Sequence, residues 1–407
     1  MTPLHHEQVP QGLRDLVVVG GGIVGLAVAW RAVRAGLTVT VLDPSPGSGA
    51  THAAAGMLAP VTEADFGEDA ALGLNLAGAA AWPAFAADLT TATGLDVGLR
   101  TAGTLTLAYD TDDLALLRRV LALHAVHGLD SRELTLADAR RREPHLGSRV
   151  AGAAWAPGDH AVDPRATHAT LLAGLADEPR AVVVRRAATG LVRDTSGRVT
   201  GVPDAAGHVH AAGAVVLAAG WETGALLAGV PEVRVPTRPA KGQTLRLDAG
   251  PDLALEHVVR GVVQGRPIYV VPRAPGTAGV GPGHREVVIG ATTEENPDDR
   301  RASAGGVFAL LRDARALLPG IDEAALVDVT PRARPATPDN LPLIGPTDVP
   351  GLHVATGHGR NGVLLAPVTA DAVVAGLAGT ALPGTVAALA PADPARFHPT
   401  RTPTTSR

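Results

Sequence analysis

Cysteine is absent from the 407 residues. That excludes disulfides, thiolate metal sites, iron–sulfur clusters, cysteine nucleophiles and any prosthetic group attached through a cysteinyl thioether, and no metal is expected. Lysine is nearly absent: Lys and Arg together number 35, and Lys241 is the only lysine, leaving 34 arginines. Arginine can replace lysine on most surfaces, so this reads as a codon-usage bias that makes Lys241 unusual without making it catalytic. No basic block points to nucleic acid, and no polybasic segment points to an anionic membrane. No uninterrupted apolar run fits a membrane span, because the stretch 16–35 contains Gly20, Gly21, Gly22, Gly25, Arg31 and Arg34. Residues 1–14 are polar, with Pro3, His5, His6 and Pro10, and lack the apolar core of a secretion signal. A cytoplasmic protein is therefore expected. An apolar content of 46% and a net charge of −5 suit a globular chain with two domains.

Leu16-Val17-Val18-Val19 is a continuous apolar run ending in glycine, the pattern of a strand buried on both faces. Residues 23–35 have helical periodicity and stop at Gly36, and 37–42 form a second strand ending at Asp43. This is a βαβ unit. Further helices are expected at 72–89, 110–127 and 306–318, and strands at 103–109, 182–184 and 214–218. Between about 237 and 328 the pattern shifts to strands at 243–247, 268–271 and 286–290 joined by Pro/Gly turns, as in an antiparallel sheet. A strand at 352–356 and a helix from about 361 to 378 return to the first pattern. The fold class is α/β: a Rossmann-like domain in discontinuous pieces (1–95, 150–236 and 329–390) with an inserted domain of mostly antiparallel sheet plus helices (96–149 and 237–328). Residues 391–407, rich in Pro, Thr and Arg, read as a frayed tail.

Gly20-Gly21-Gly22-Ile23-Val24-Gly25 fits G-x-G-x-x-G. Gly20 permits the turn, Gly22 lets backbone approach a pyrophosphate, and Gly25 lets the helix pack closely on the strand. The helix start offers N–H groups and positive dipole to the phosphates. Asp43 lies where a carboxylate hydrogen-bonds ribose hydroxyls, and it disfavours the 2′-phosphate of NADP. In a chain with 48 glycines the hexamer alone is weak. Strand, helix, strand and terminal acid together point to a dinucleotide, without separating FAD from NAD.

Three further segments resemble the D-amino-acid-oxidase-like FAD oxidoreductases: Thr51 to Pro60 (THAAAGMLAP), Ala214 to Trp221 (AVVLAAGW), and Arg334-Pro335 with Leu341 to Gly345 and Gly357 to Pro367 (GHGRNGVLLAP). Within that superfamily, Ala-Gly-Met-Leu and Gly-His-x-Arg-Asn-Gly-x-Leu-Leu-Ala-Pro are similar to the glycine oxidases of thiamine biosynthesis, as are Arg238 to Gln243 and Tyr269 to Arg273. The resemblance runs from about 16 to 378. It implies non-covalent FAD, a small amino-acid substrate, O2 as electron acceptor, a homo-oligomer (a tetramer), and hand-off of product to thiazole synthase.

By resemblance the nucleotide side is held by Gly20, Gly22, Ile23, Val24, Gly25, Asp43 and Pro44. Ala50, Thr51, Ala55, Gly56 and Met57 pass beside the flavin, where small side chains let backbone amides approach. Ala188 and Gly220 are further contacts. His358, Gly359, Arg360, Asn361, Gly362, Val363 and Leu364 form a strand-to-helix turn whose dipole stabilises negative charge on the reduced ring. Their bland alternatives are a flexible loop and an ordinary βα turn.

The same resemblance makes Arg334 the clamp on the substrate carboxylate, a task suited to the planar guanidinium fork. Arg360 is the second family arginine, or else a structural link across its turn. Tyr269, one of two tyrosines, is the expected hydroxyl donor and pocket wall, or else a strand aromatic in the core. Pro267 and Thr293 depart from the family pattern beside the pocket and put side-chain preference in doubt. The expected reaction is hydride transfer from the Cα of a neutral amine to flavin, needing no side-chain base. It would supply iminoacetate for thiazole synthesis. Two close alternatives are a sarcosine or other secondary-amine oxidase and a quinone-linked D-amino-acid dehydrogenase. Against the first stand the missing cysteine and a strand that reads Val287-Val288-Ile289-Gly290 without lysine.

Overall fold

The computed structural model describes residues 12–275, 280–281, 283–295, 300–380 and 385–398. Strand Arg14–Val19 lies inside an eight-stranded sheet, between Val209–Leu217 and Val39–Leu42, parallel to both. Its alternation divides the apolar run between two cores: Leu16 and Val18 enter one, Val17 and Val19 the other. Helices Ile23–Arg34 and Gly362–Leu377 pack against each other on the first face. Strands Ala181–Val184 and Leu352–Thr356 continue the parallel sheet, and Leu343–Pro346 closes one edge antiparallel. Helix Asp69–Thr93 is long and apolar enough to cross a membrane by length and composition. Here Leu74, Trp82, Phe85 and Leu89 are buried in the first core, and the helix packs on Gly362–Leu377 and Pro164–Ala176.

The second eight-stranded sheet runs in the order 325–336, 238–248, 286–290, 266–272, 258–263, 104–108, 152–156, 132–134. It is antiparallel except where Val258–Val263 meets Thr104–Ala108. One face packs on helix Ala304–Leu317 through Leu245, Ile289, Val270, Val259 and Leu105. The opposite face carries Thr330, Thr244, Gly290, Tyr269 and Arg260, which lie opposite one another across five strands. Thr244 Oγ1 donates to Ala53 O at 3.0 Å, and Ala55 and Met57 share an apolar cluster with Tyr269, Val271 and Val288. This face therefore meets the small-residue loop of the first domain.

The expected boundaries at 150 and 329 do not follow the sheets. Strand Gly152–Ala156 pairs with Thr104–Ala108 and belongs to the second sheet. Four of the five residues of GAAWA are Gly or Ala, which leaves Trp155 alone to mark a strand in the sequence. Strand Ala325–Ala336 spans residue 329 without a break, held by pairing with Arg238–Asp248 along its length. The expected tail is ordered through residue 398. Arg396 bonds the Asp339 carboxylate and the carbonyls of Leu341 and Pro342, and Ala392 is buried. Residues 399–407, and 1–11 at the other end, lie outside the described residues.

The close approach expected of Gly25 is severe. A Cβ there would sit 1.9 Å from the Gly20 carbonyl oxygen. We predict that Gly25→Ala costs about 1–3 kcal/mol, the usual range for overpacking. Denaturant unfolding would show a lower midpoint with unchanged slope. An unshifted midpoint would contradict this packing.

Candidate active site

The turn after Arg14–Val19 is shaped by backbone contact. Gly20 has φ +113°, and a Cβ on it would lie 2.4 Å from Ala218 O. The Gly21 N–H donates to Asp43 Oδ2 at 2.6 Å, while Ser45 N–H donates to Oδ1 at 2.7 Å. A Cβ on Gly21 would lie 2.9 Å from Pro46 Cβ. Gly22 meets only the Thr51 hydroxyl, at 3.4 Å, so the closest packing beside Asp43 falls on Gly21 instead. Thr51 Oγ1 accepts from Ile23 N at 3.0 Å, tying the 50–53 segment to the helix start. Val24 follows in the first turn, which has no side-chain cap and no acid. A helix start free of acidic side chains, a backbone cradle and a carboxylate pinned beside it fit the pyrophosphate and ribose of an adenine dinucleotide. Pro44 is exposed next to Asp43.

The other expected cofactor contacts are also placed by close packing. Gly56 approaches so closely that a Cβ would lie 2.1 Å from Val162 O. Ala50 opens the short helix 50–53, Ala55 is buried, and Met57 pairs with Ala161. Ala188 forms a β-bridge with Asp204, beyond the strand that adjoins Val39–Leu42. The Gly220 carbonyl accepts from the hydroxyls of Thr223 and Thr356, binding the ends of two parallel strands. Gly359 N–H donates to Pro335 O at 2.9 Å, which sets the 357–361 turn beside Arg334. Helix Gly362–Leu377 then begins without a side-chain cap at Asn361. The Val363 and Leu364 side chains are buried, and their carbonyls accept from Trp82 Nε1. His358 is turned inward, with Nε2 3.0 Å from Thr369 Oγ1.

Arg334 and Tyr269 stand on the inward face of the second sheet, each over a glycine. The Arg334 guanidinium lies on Gly242, where a Cβ would come within 2.3 Å of Nη1. The Tyr269 ring lies on Gly290, where a Cβ would come within 2.2 Å of the hydroxyl. Arg334 Nη1 donates to Thr292 O at 3.2 Å, and among the described residues it pairs with no carboxylate. Burial raises the Tyr269 phenol above its ordinary pKa, opposed by Arg334, so the hydroxyl stays a proton donor. Pro267 and Thr293 are both exposed at the rim.

Arg360 is placed differently. Its guanidinium bonds both oxygens of Glu68, and its Nε lies 3.5 Å from Glu63 Oε2. Glu63 Oε1 in turn accepts from Arg260 Nη1 at 2.8 Å. The loop bearing Glu63 is fixed by Asp159, which accepts from Val61 N, Thr62 N and the Thr62 hydroxyl. Sequence reasoning missed Glu63, Glu68, Arg260 and Asp159. Glu63 lies 197 positions from Arg260, and nothing local marks either residue. Lys241 is buried with Nζ 3.5 Å from Glu294 Oε2, a position within the sheet rather than at the pocket.

The chain matches the family described as FAD dependent oxidoreductase over residues 15–375. It is 34% identical to a glycine oxidase of Geobacillus kaustophilus, over 87% of this chain and 90% of the relative. The crystal structure of glycine oxidase from that organism superposes with a TM-score of 0.84 at 32% identity, covering 95% of this chain and 99% of that one. A bifunctional protein ThiO/ThiG of Nostoc sp. is 33% identical over 88% of this chain. The chain spans about half of that relative's length, 51%.

Burial pulls His358 down to about 4, and burial with the Arg165 charge does the same to His52. A histidine depressed in the folded state contributes stability above its unfolded pKa, ordinarily ~6.5, and loses it as pH falls. The loss runs from there to about 4. We predict that His358→Gln flattens the decline of unfolding free energy over that window by about one proton's worth of slope. Denaturant titrations at a series of pH values check this; an unchanged slope would contradict a neutral buried imidazole.

Proposed function

The chain belongs to the FAD-dependent oxidoreductase family, and on that premise we propose that it oxidises the Cα–N bond of glycine. Sarcosine and small D-amino acids are further candidate substrates, and O2 is reduced to H2O2. The observation that carries this reading is Arg334, a half-buried guanidinium held flat over Gly242 without a carboxylate partner among the described residues. A small amino acid offers that partner. The similarity to glycine oxidases at 34% identity supports glycine over a secondary amine or a quinone-linked route.

FAD, when bound, supplies the two-electron acceptor and passes the electrons to oxygen; with no cysteine in the chain, no thioether tether exists. The chain's own residues do the positioning. Arg334 holds the carboxylate through two parallel hydrogen bonds, while Tyr269 offers its hydroxyl as donor and its ring as wall. The substrate amine loses its proton on binding, so its lone pair is free and no carboxylate or imidazole base is required. Catalysis then rests on fixed geometry and on the dipole at the start of Gly362–Leu377. The product is iminoacetate, which hydrolyses to glyoxylate and ammonia or passes to thiazole synthase. The bifunctional relatives, about half of whose length this chain spans, support such a coupled partner. The proposal retains a cytoplasmic location and, from the resemblance, a homotetramer.

Oxygen uptake with peroxide release on adding glycine tests the reaction. Arg334→Leu tests the clamp: kcat/KM for glycine should fall by about 2–4 kcal/mol, roughly 30- to 1000-fold, with flavin content retained. A variant that loses flavin yet binds substrate normally would contradict the assignment.

A further inference from the structure

Beside the clamp lie two more guanidinium groups, and one carboxylate contacts both. Arg260 stands opposite Tyr269 on the adjoining strand, on the same face. Arg360 follows the Gly359 amide that bonds Pro335, the neighbour of Arg334. Glu63 reaches between them, with Oε1 2.8 Å from Arg260 and Oε2 3.5 Å from Arg360. Its side chain is 13% exposed and Arg260's is 21% exposed, so solvent screens the pair poorly. Glu63 is positioned rigidly, because Asp159 fixes the backbone of Val61 and Thr62 just before it. Glu68 balances the outer edge of Arg360. Two cations and two anions therefore cancel, while Arg334 keeps a positive charge with no carboxylate partner among the described residues.

We propose that Glu63 sets the charge class of the substrate, holding Arg260 and Arg360 so that the site accepts amino acids with one carboxylate and rejects those with two. This rests on the amino-acid oxidase reading and extends it to a residue that does not clamp the substrate. A second carboxylate entering beside Tyr269 meets guanidinium groups whose charge Glu63 already offsets, and meets the Glu63 charge itself. With Glu63 neutral, the same carboxylate finds Arg260 on the sheet and Arg360 on the turn.

The test compares the holoenzyme with Glu63→Gln on glycine and on iminodiacetate, which adds a second carboxylate to the same skeleton. The ratio of kcat/KM for iminodiacetate to that for glycine should rise about tenfold, the size of one charge-assisted contact. It should fall back in the double variant Glu63→Gln/Arg260→Met. Binding of malonate against acetate, followed by the change in flavin absorbance, gives the same ratio without turnover. Arg260→Met alone should lower the malonate-to-acetate ratio, and this arm serves if Glu63→Gln does not fold. A ratio that stays level or drops in Glu63→Gln, or no reversal in the double variant, overturns the proposal. A parent enzyme that oxidises no amino acid overturns the underlying reading instead, and the malonate and acetate titrations still decide the role of Glu63.

Discussion

Arg334 is a half-buried cation with no carboxylate partner among the described residues, and the site is organised around it. Arg334 lies flat because Gly242 has no side chain to lift it, and the Thr292 carbonyl takes one of its N–H groups. A carbonyl satisfies a donor without cancelling its charge, so the guanidinium stays ready for an anion. The surrounding charges are arranged so as not to compete. Arg246 pairs with Glu286 at 2.7 Å, Arg165 with Asp328 at 3.0 Å, and Arg260 with Glu63. Of these only Arg246–Glu286 is fully buried, and removing one of its partners would leave an uncompensated buried charge at a cost of about 3–5 kcal/mol.

The two large sheets are tied through that same face. Thr244 reaches the Ala53 carbonyl, Arg273 Nη1 reaches Val162 O, and Arg332 Nε reaches Ser48 O. These bonds press the second sheet onto the Ala50–Met57 segment, whose hydroxyl at Thr51 also fixes the start of helix Ile23–Arg34. These bonds join the dinucleotide cradle to the strands carrying Arg334 and Tyr269. Cofactor and substrate positions are set by one connected framework.

The first βαβ unit was legible because its signals are local: a four-residue apolar run, a glycine turn and a helix with one period. Strand Glu286–Gly290 and strand Leu352–Thr356 appear where the apolar runs place them. Strand Ala325–Ala336 was not legible, since Pro331, Arg332, Arg334 and Pro335 break any apolar alternation. Its conformation comes from pairing with a strand about ninety positions earlier. Arg334 and Tyr269 were found only through resemblance, because 34 arginines give composition no way to choose among them. The Glu63 bridge was hidden for another reason: its partners Arg260 and Arg360 come from distant strands and turns.

The central claim is that an amino acid held by Arg334 delivers its electrons to a bound flavin. Anaerobic titration of the purified protein with glycine, followed by visible absorbance, tests this most directly. The account predicts a yellow protein whose flavin band bleaches as glycine is added and recovers when air is admitted. A colourless protein, or a yellow one whose band is unmoved by glycine, sarcosine, D-alanine and D-proline alike, would contradict it.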